Sequence, residues 1–422
     1  MPTLRPLIYN LHRLIDRSQS HSPTGVDRVD LRHALHLLEQ AKQRQVLFIR
    51  QRHNVAYLVP FMEAEALIRN LEQRWIHGEK LSAPRKASPW QIAYHWLNMR
   101  GAQLQQNLIQ PAIGSMLKDN RLKPIYLHSG HGTIHHLDLH QQIKTRWQAD
   151  LVFYLHDLIP IDYPEYTNNP SAQHMHRRRM QTMATTGTLI LANSEDSRRR
   201  FLNYCQQEGL PQPPVHVLLI GVEPQILAAA RQPRLALPPR FAKPLNKPYF
   251  ITIGTIEARK NHLLLLHLWR ELAEELGAAC PKLVILGKRG WKIEHLLHLL
   301  EKSPLLAQHV LEVNDANDHD MIALLQHANA LLFPSFAEGW GMPLAEALSL
   351  DTPAICADIP ALRECGRNHA TYLSPLDGLG WKHAILQQMQ QPRTIFNAPY
   401  QPDTWQDHLQ QLAGFINQLD KQ

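Results

Sequence analysis

Two stretches of this sequence place charged side chains where a helix begins. In YFITIGTIEARKN, residues 249–261, an apolar run ends and Arg259, Lys260 and Asn261 precede a Leu-rich segment with helical spacing. The first backbone N–H groups of a helix lack intrahelical partners and its dipole is positive there, so an anion is favoured. Two cations beside that point add charge-assisted hydrogen bonds. A diphosphate suits this chemistry, although two solvated basic residues on a turn would read the same way. The second stretch, ALLFPSFAEGWGMPLAEAL at 330–348, reads as a buried strand, a loop with Gly339 and Gly341, and a helix with Pro343 in its first turn. The glycines allow backbone to approach a ligand closely. Glu338 on the loop suits sugar hydroxyls, and Glu346, read in the opening turn of the helix, suits a ribose diol or simply the positive helix end.

These residues need elements to hold them. Short β-rich runs at 7–11, 46–50, 124–128, 151–156 and 188–192 alternate with helical patterns, and a second series follows at 249–254, 282–287, 330–335 and 353–357. The alternation predicts an α/β protein with two doubly wound parallel sheets. Between the series, RQPRLALPPRFAKPLNKP at 231–248 carries five prolines, which exclude a long helix and mark a connection. We therefore expect a first domain over 1–235 and a second over 245–400. In the tail, Trp405, Leu409, Leu412, Ile416 and Leu419 fall on one helical face, so a helix over 403–421 should dock back on the first domain. Residues 60–120 give only a weak helical pattern.

Composition narrows the function classes. The 422 residues hold 44 Lys plus Arg against 37 Asp plus Glu, a net charge of +7 that favours acidic partners without choosing among them. No apolar stretch approaches the roughly 18 residues of a membrane span, and the start shows no signal peptide. Cys205, Cys280, Cys356 and Cys365 form no CxxC pair, so a reduced, cytoplasmic protein is expected. His128, His131, His135, His136 and His140 offer mixed short spacings that suit zinc, but without nearby cysteines a loop lining an acceptor is the preferred reading. The basic clusters at 176–180 and 197–201 read as solvated helix faces, with contact to acidic lipid as a further option.

Taken in order, GTIEARKN, LVILGKRGW, FPSFAEGWGMPLAEAL and DTPAICADIPALRE resemble the large retaining glycosyltransferase family 4, mannosyltransferase-like members included. Glu338 and Glu346 match its EX7E motif. The resemblance is densest over residues 249–375. It implies a GT-B fold, two Rossmann-like domains facing a central cleft. It also implies a nucleotide-sugar donor as co-substrate, with no cofactor and no metal, and same-face transfer of a hexosyl group to an acceptor hydroxyl. Arg259 and Lys260 would meet the donor phosphates, with Gly254, Thr255, Gly339, Gly341, Met342, Pro343 and Leu344 completing the donor site. Thr255 stands where many relatives carry an arginine or a second glycine, which shifts the phosphate charge onto Arg259 and Lys260.

In the first half, TGVDRV looks like the family's glycine loop, with Gly25 near the reacting sugar. LVFYLHDLIPIDYPEY looks like the segment whose strand-end histidine reaches that sugar, here His156, with Asp157 able to orient the imidazole. LILANSEDSRRRF gives a strand-to-helix join capped by Ser194. The loop VNDANDHD, 313–320, follows the position where the family's nucleobase stacks. The implied product is a bacterial surface polysaccharide such as lipopolysaccharide, or a lipid-linked precursor, made from GDP-mannose at the inner face of the membrane. Two other readings stay open: a GT-B enzyme such as a nucleotide-sugar epimerase, and a non-catalytic nucleotide-sugar-binding subunit. A nucleic-acid partner rests on charge alone and ranks last.

Overall fold

The computed structural model describes residues 4–20, 22–52, 55–78, 123–390 and 399–421. Most of the weakly patterned stretch at 60–120 lies outside them, apart from a helix over Phe61–Trp75. The chain divides into two compact units. The first comprises Met1–Ile161, Ser171–Leu219 and Gln406–Gln422, and the second Asp162–Pro170 and Ile220–Trp405. The first thus ends at Leu219, ahead of the proline-rich connection expected to bound it. The reason is that the connection is tied to the second unit: Arg240 pairs with Asp315 and Asp320, and the Leu235 amide donates to Gln326 at 2.8 Å.

The first sheet comprises β1 (Leu7–Asn10), β2 (Val46–Arg52), β3 (Val55–Val59), β4 (Ile125–His128), β5 (Asp150–Leu155), β6 (Leu189–Ala192) and β7 (Val215–Val217). Its order is β3-β2-β1-β4-β5-β6-β7. All pairs are parallel except β2 with β3, an antiparallel edge hairpin that the expected parallel sheet did not include. Strands β1, β4 and β6 are buried throughout, as apolar runs covered by helices on both faces must be.

The second sheet comprises β8 (Tyr249–Ile253), β9 (Lys282–Leu286), β10 (Val310–Val313), β11 (Leu331–Phe333), β12 (Ala354–Ala357) and β13 (Thr371–Leu373), in the order β10-β9-β8-β11-β12-β13 and parallel throughout. Its core sets the helix His262–Leu276 against the sheet through Leu265, Trp269 and Leu272.

In both sheets the order reverses beside the first strand, between β1 and β4 and between β8 and β11. Open α/β sheets bind ligands at the carboxyl ends of the strands flanking such a reversal. The carboxyl ends of β8 and β11 carry the two stretches singled out from sequence.

The tail helix Trp405–Leu419 buries Trp405, Leu412, Ile416 and Leu419 as its spacing requires. Leu409, expected with them, is only half-buried, and His408 takes the inward position at 1% exposure. Four of the six arginines in the basic clusters are paired with carboxylates. Arg199 and Arg200 both pair with Asp196, Arg198 with Glu195, and Arg177 with Glu208. Ser194 caps the helix Glu195–Gln207, accepting the Ser197 amide at 3.1 Å. All four cysteines are buried thiols. Among the described residues no helix is long and apolar enough to cross a membrane.

Candidate functional site

At the carboxyl ends of β8 and β9 the chain needs glycine. Gly254 has φ +141°, and a Cβ there would lie 3.2 Å from Lys260 Cε. At the end of β9, a Cβ on Gly287 would sit 1.9 Å from the Gly254 carbonyl oxygen. The two turns are packed backbone on backbone, a role for Gly287 that its motif alone did not disclose. A single 3-10 turn, Ala258–Lys260, then leads into the helix His262–Leu276. Asn261, at φ +55°, stands at the cap position but does not cap. Its amide instead donates to the carbonyls of Pro334, at 3.2 Å, and Pro375, at 2.9 Å, pinning the turn to the loops after β11 and β13.

That pinning brings the two stretches together. Lys260 Nζ lies 2.6 Å from Glu338 Oε1, and an Arg259 guanidinium nitrogen lies 2.9 Å from Glu338 Oε2. Arg259 also pairs with Glu257 at 2.6 Å and donates to the Ala337 carbonyl, while the Lys260 ammonium sits 4.6 Å from the centre of the Phe333 ring. Two cations therefore face two carboxylates, and the site expected to be cationic is balanced in charge. Glu257 was not among the expected site residues, because nothing in its spacing distinguishes it from a solvated acid. Burial would raise the Glu338 carboxyl, but Arg259 and Lys260 outweigh it and hold it down at about 2. Burial lowers the Lys260 ammonium from its ordinary value, opposed by Glu338.

Downstream of Glu338, Gly341 has φ +137° and precedes the helix Met342–Ser349. A Cβ on Gly341 would meet Leu362 Cδ2 at 2.8 Å, so this glycine is required by packing as well as by backbone conformation. Pro343 occupies the first turn, as expected. Glu346, read in the opening turn, is the fifth residue of the helix and 5% exposed, too far along to serve as a charge on the helix end. Leu344, expected to contact the donor, is fully buried, and its amide donates to the Gly341 carbonyl at 2.9 Å, so it packs the helix start. Met342 and Pro343 are half-buried.

In the first unit His156 follows β5 and is 3% exposed. Its Nε2 lies 2.7 Å from the Ser129 carbonyl, and its amide donates to His131 Nε2 at 3.2 Å. Burial pushes the imidazole down to about 4. Asp157 was read as the group orienting this ring. The Ser129 carbonyl holds it through Nε2, and Asp157 accepts the Ile159 amide at 3.0 Å at the start of a short helix. Gly25 is not in a loop: it is the first residue of the helix Gly25–Gln40, whose Thr24 and Asp27 form a capping box. The histidines of 128–140 are dispersed among β4, its following loop and the helix Leu137–Arg146, and among the described residues no group of three or more His, Cys, Asp or Glu could hold a metal ion.

Residues 234–375 match the family model described as glycosyl transferases group 1. Over that span, about a third of the chain and all within the second unit, the sequence is similar to this family. Relatives include the serotype-specific mannosyltransferase WbdA of Escherichia coli, 36% identical over 127 residues, which cover 30% of this chain and 15% of that protein. The O-antigen chain mannosyltransferase B of Escherichia coli is 26% identical over 56% of this chain and 60% of its own length. The chain thus spans less than two thirds of these relatives. Among solved structures, the α,α-trehalose 6-phosphate synthase of Burkholderia multivorans superposes with a TM-score of 0.63 at 11% identity, covering 99% of this chain and 97% of that one. HepE of Anabaena, solved with UDP-glucose, superposes with a TM-score of 0.56 at 15% identity over 99% and 98% of the two chains. The fold is GT-B.

Proposed function

We propose that the chain is a retaining glycosyltransferase that moves a hexosyl group, mannosyl from GDP-mannose, to a hydroxyl of a bacterial surface polysaccharide or lipid-linked precursor. The observation that carries this reading is the convergence of Arg259 and Lys260 on Glu338 at the reversal point of a group 1 second unit. The mannosyl assignment draws support from relatives named as mannosyltransferases of O-antigen chains.

In this reading Glu338 serves two purposes. Without donor it holds two cations in place against burial. With donor, its oxygens accept sugar hydroxyls while Lys260, which has three N–H donors and uses one on Glu338, turns others to the β-phosphate. Cleavage of the bond from the anomeric carbon leaves its electron pair on that phosphate, where preorganised cations lower the barrier without a divalent metal. The acceptor oxygen attacks on the same face, and its proton passes to a phosphate oxygen. Glu346 holds the ribose, and His156 bonds the sugar near the transition state. Donor and glycan acceptor are the only partners this chemistry requires, and a cytoplasmic location, with contact to the inner membrane face, belongs to the same proposal.

Thermal unfolding with GDP, UDP, dTDP and ADP tests it first, since a ligand at one hundred times its dissociation constant stabilises by roughly 2.7 kcal/mol. Selective stabilisation by GDP is expected, followed by release of GDP from GDP-mannose in the presence of a mannose-terminated glycan. Stabilisation by none of the four in folded protein would overturn the transferase reading; selective stabilisation by UDP would overturn the donor assignment.

A further inference from the structure

The first unit holds a chain of buried imidazoles that leads from the tail helix to His156. His408 Nδ1 lies 2.7 Å from the Leu219 carbonyl oxygen. His408 Nε2 lies 2.7 Å from His33 Nε2, and His33 Nδ1 lies 2.6 Å from the Ser129 hydroxyl. The Ser129 carbonyl in turn meets His156 Nε2 at 2.7 Å. The Tyr154 ring packs among them, its centre 4.9 Å from His156, 5.4 Å from His33 and 5.9 Å from His408.

The directions of these bonds follow from the partners. A carbonyl only accepts, so His408 carries its proton on Nδ1, and a neutral ring then accepts at Nε2. His33 must therefore donate from Nε2, which leaves its Nδ1 to accept the Ser129 hydroxyl. At the other end, His156 donates from Nε2 to the Ser129 carbonyl, which leaves Nδ1 as its accepting nitrogen. Neutral rings are what burial enforces: His33 is pushed well below its ordinary value, and His408 to about 4.

We infer that Ser129, His33 and His408 are positioning residues that lock His156 as the Nε2–H tautomer, so that it meets the sugar only as an acceptor of a hydroxyl proton at Nδ1. Ser129 is the junction. Its hydroxyl is fixed by a ring that the tail helix holds, and its carbonyl fixes the ring at the end of β5. The inference rests on the proposed function for what His156 touches, but not for its tautomer.

Two measurements on the full chain separate these parts. Nitrogen-15 spectra of histidine-labelled wild-type protein should show His156 and His33 protonated at Nε2 and His408 at Nδ1. Any of the three in the opposite tautomer overturns the relay whether or not the protein transfers sugar. For kinetics, His33→Leu removes both bonds, whereas His33→Asn retains an oxygen near the Nδ1 position to accept from Ser129. Expected is a fall in kcat of about ten- to a hundredfold in His33→Leu, a donor KM within about twofold of wild type, and recovery of most of the loss in His33→Asn. Equal losses in two folded variants would overturn the relay. The expected tautomers with wild-type turnover in His156→Ala would leave the relay intact and overturn the sugar contact.

Discussion

Lys260 and Glu338, 78 positions apart in sequence, meet at 2.6 Å as a buried ion pair at the reversal point of the second sheet. Removing one partner of such a pair leaves an uncompensated buried charge, which typically costs about 3–5 kcal/mol. Glu338→Gln should therefore lower both stability and turnover, the latter by about a hundredfold. Lys260→Met should do the same, and the double variant should be more stable than the sum of the single effects predicts. Additive unfolding free energies in that cycle would show that the pair is not coupled.

Glu346 sits one residue beyond the first turn of its helix, where a charge contributes little to the helix end. Glu346→Gln should leave the unfolding temperature within a few degrees of wild type and weaken GDP binding by about tenfold, the value of one hydrogen bond to a charged group. Unchanged binding by titration calorimetry would remove the ribose assignment.

Acid should unfold this protein early. Burial lowers His33 well below its ordinary value and brings His140, His156 and His408 to about 4. A native state that refuses protons the unfolded chain accepts is fully stable above the unfolded value of about 6.5 and loses that stability as pH falls toward 4. Each of the three brought to about 4 is worth up to about 3 kcal/mol across that window. Between pH 7.5 and 5 the unfolding temperature should drop by on the order of 10 °C. A flat profile over that range would contradict neutral burial of these rings. Glu338, held at about 2, adds its own loss below the ordinary carboxylate value of 4.5.

Asp30 works in the opposite direction. It is fully buried, Tyr9 donates to it, and its Oδ2 has no hydrogen-bond partner among the described residues. Burial raises its carboxyl from 3.8 to about 7. A raised value means stability that is present at low pH and lost as pH climbs through 7. Asp30→Asn should therefore gain stability relative to wild type by about 2–3 kcal/mol between pH 5 and pH 8. Denaturant unfolding at the two pH values reads this directly, and a pH-independent difference would place the ionised carboxylate in the native state throughout.

Much of the architecture was legible because apolar runs buried on both faces are recognisable without context. All nine β-rich runs are strands. Four strands escaped: Val55–Val59, whose apolar VAYLV is only partly buried, and Val215–Val217, Val310–Val313 and Thr371–Leu373, which are short or interrupted by polar residues. All four are edge strands, and the exposed middle of VHV shows why they are harder to read: an edge is covered less, so its sequence carries less apolar signal. The tail helix shows the same limit. Its apolar stripe was read correctly at four positions, yet the stripe's width admits either residue 408 or 409, and the direction of packing selected His408.

The sequence by itself determined the doubly wound sheets, the Arg259–Lys260 turn and the two glutamates eight residues apart, because each is a local pattern with its own physical cause. Only the tertiary structure decided that Glu338 pairs with both cations, that Glu257 joins them and that His33 and His408 stand behind His156. Those relationships join residues far apart in the chain, and burial and partners, which set their charge and tautomer, exist only once the sheets have brought them together.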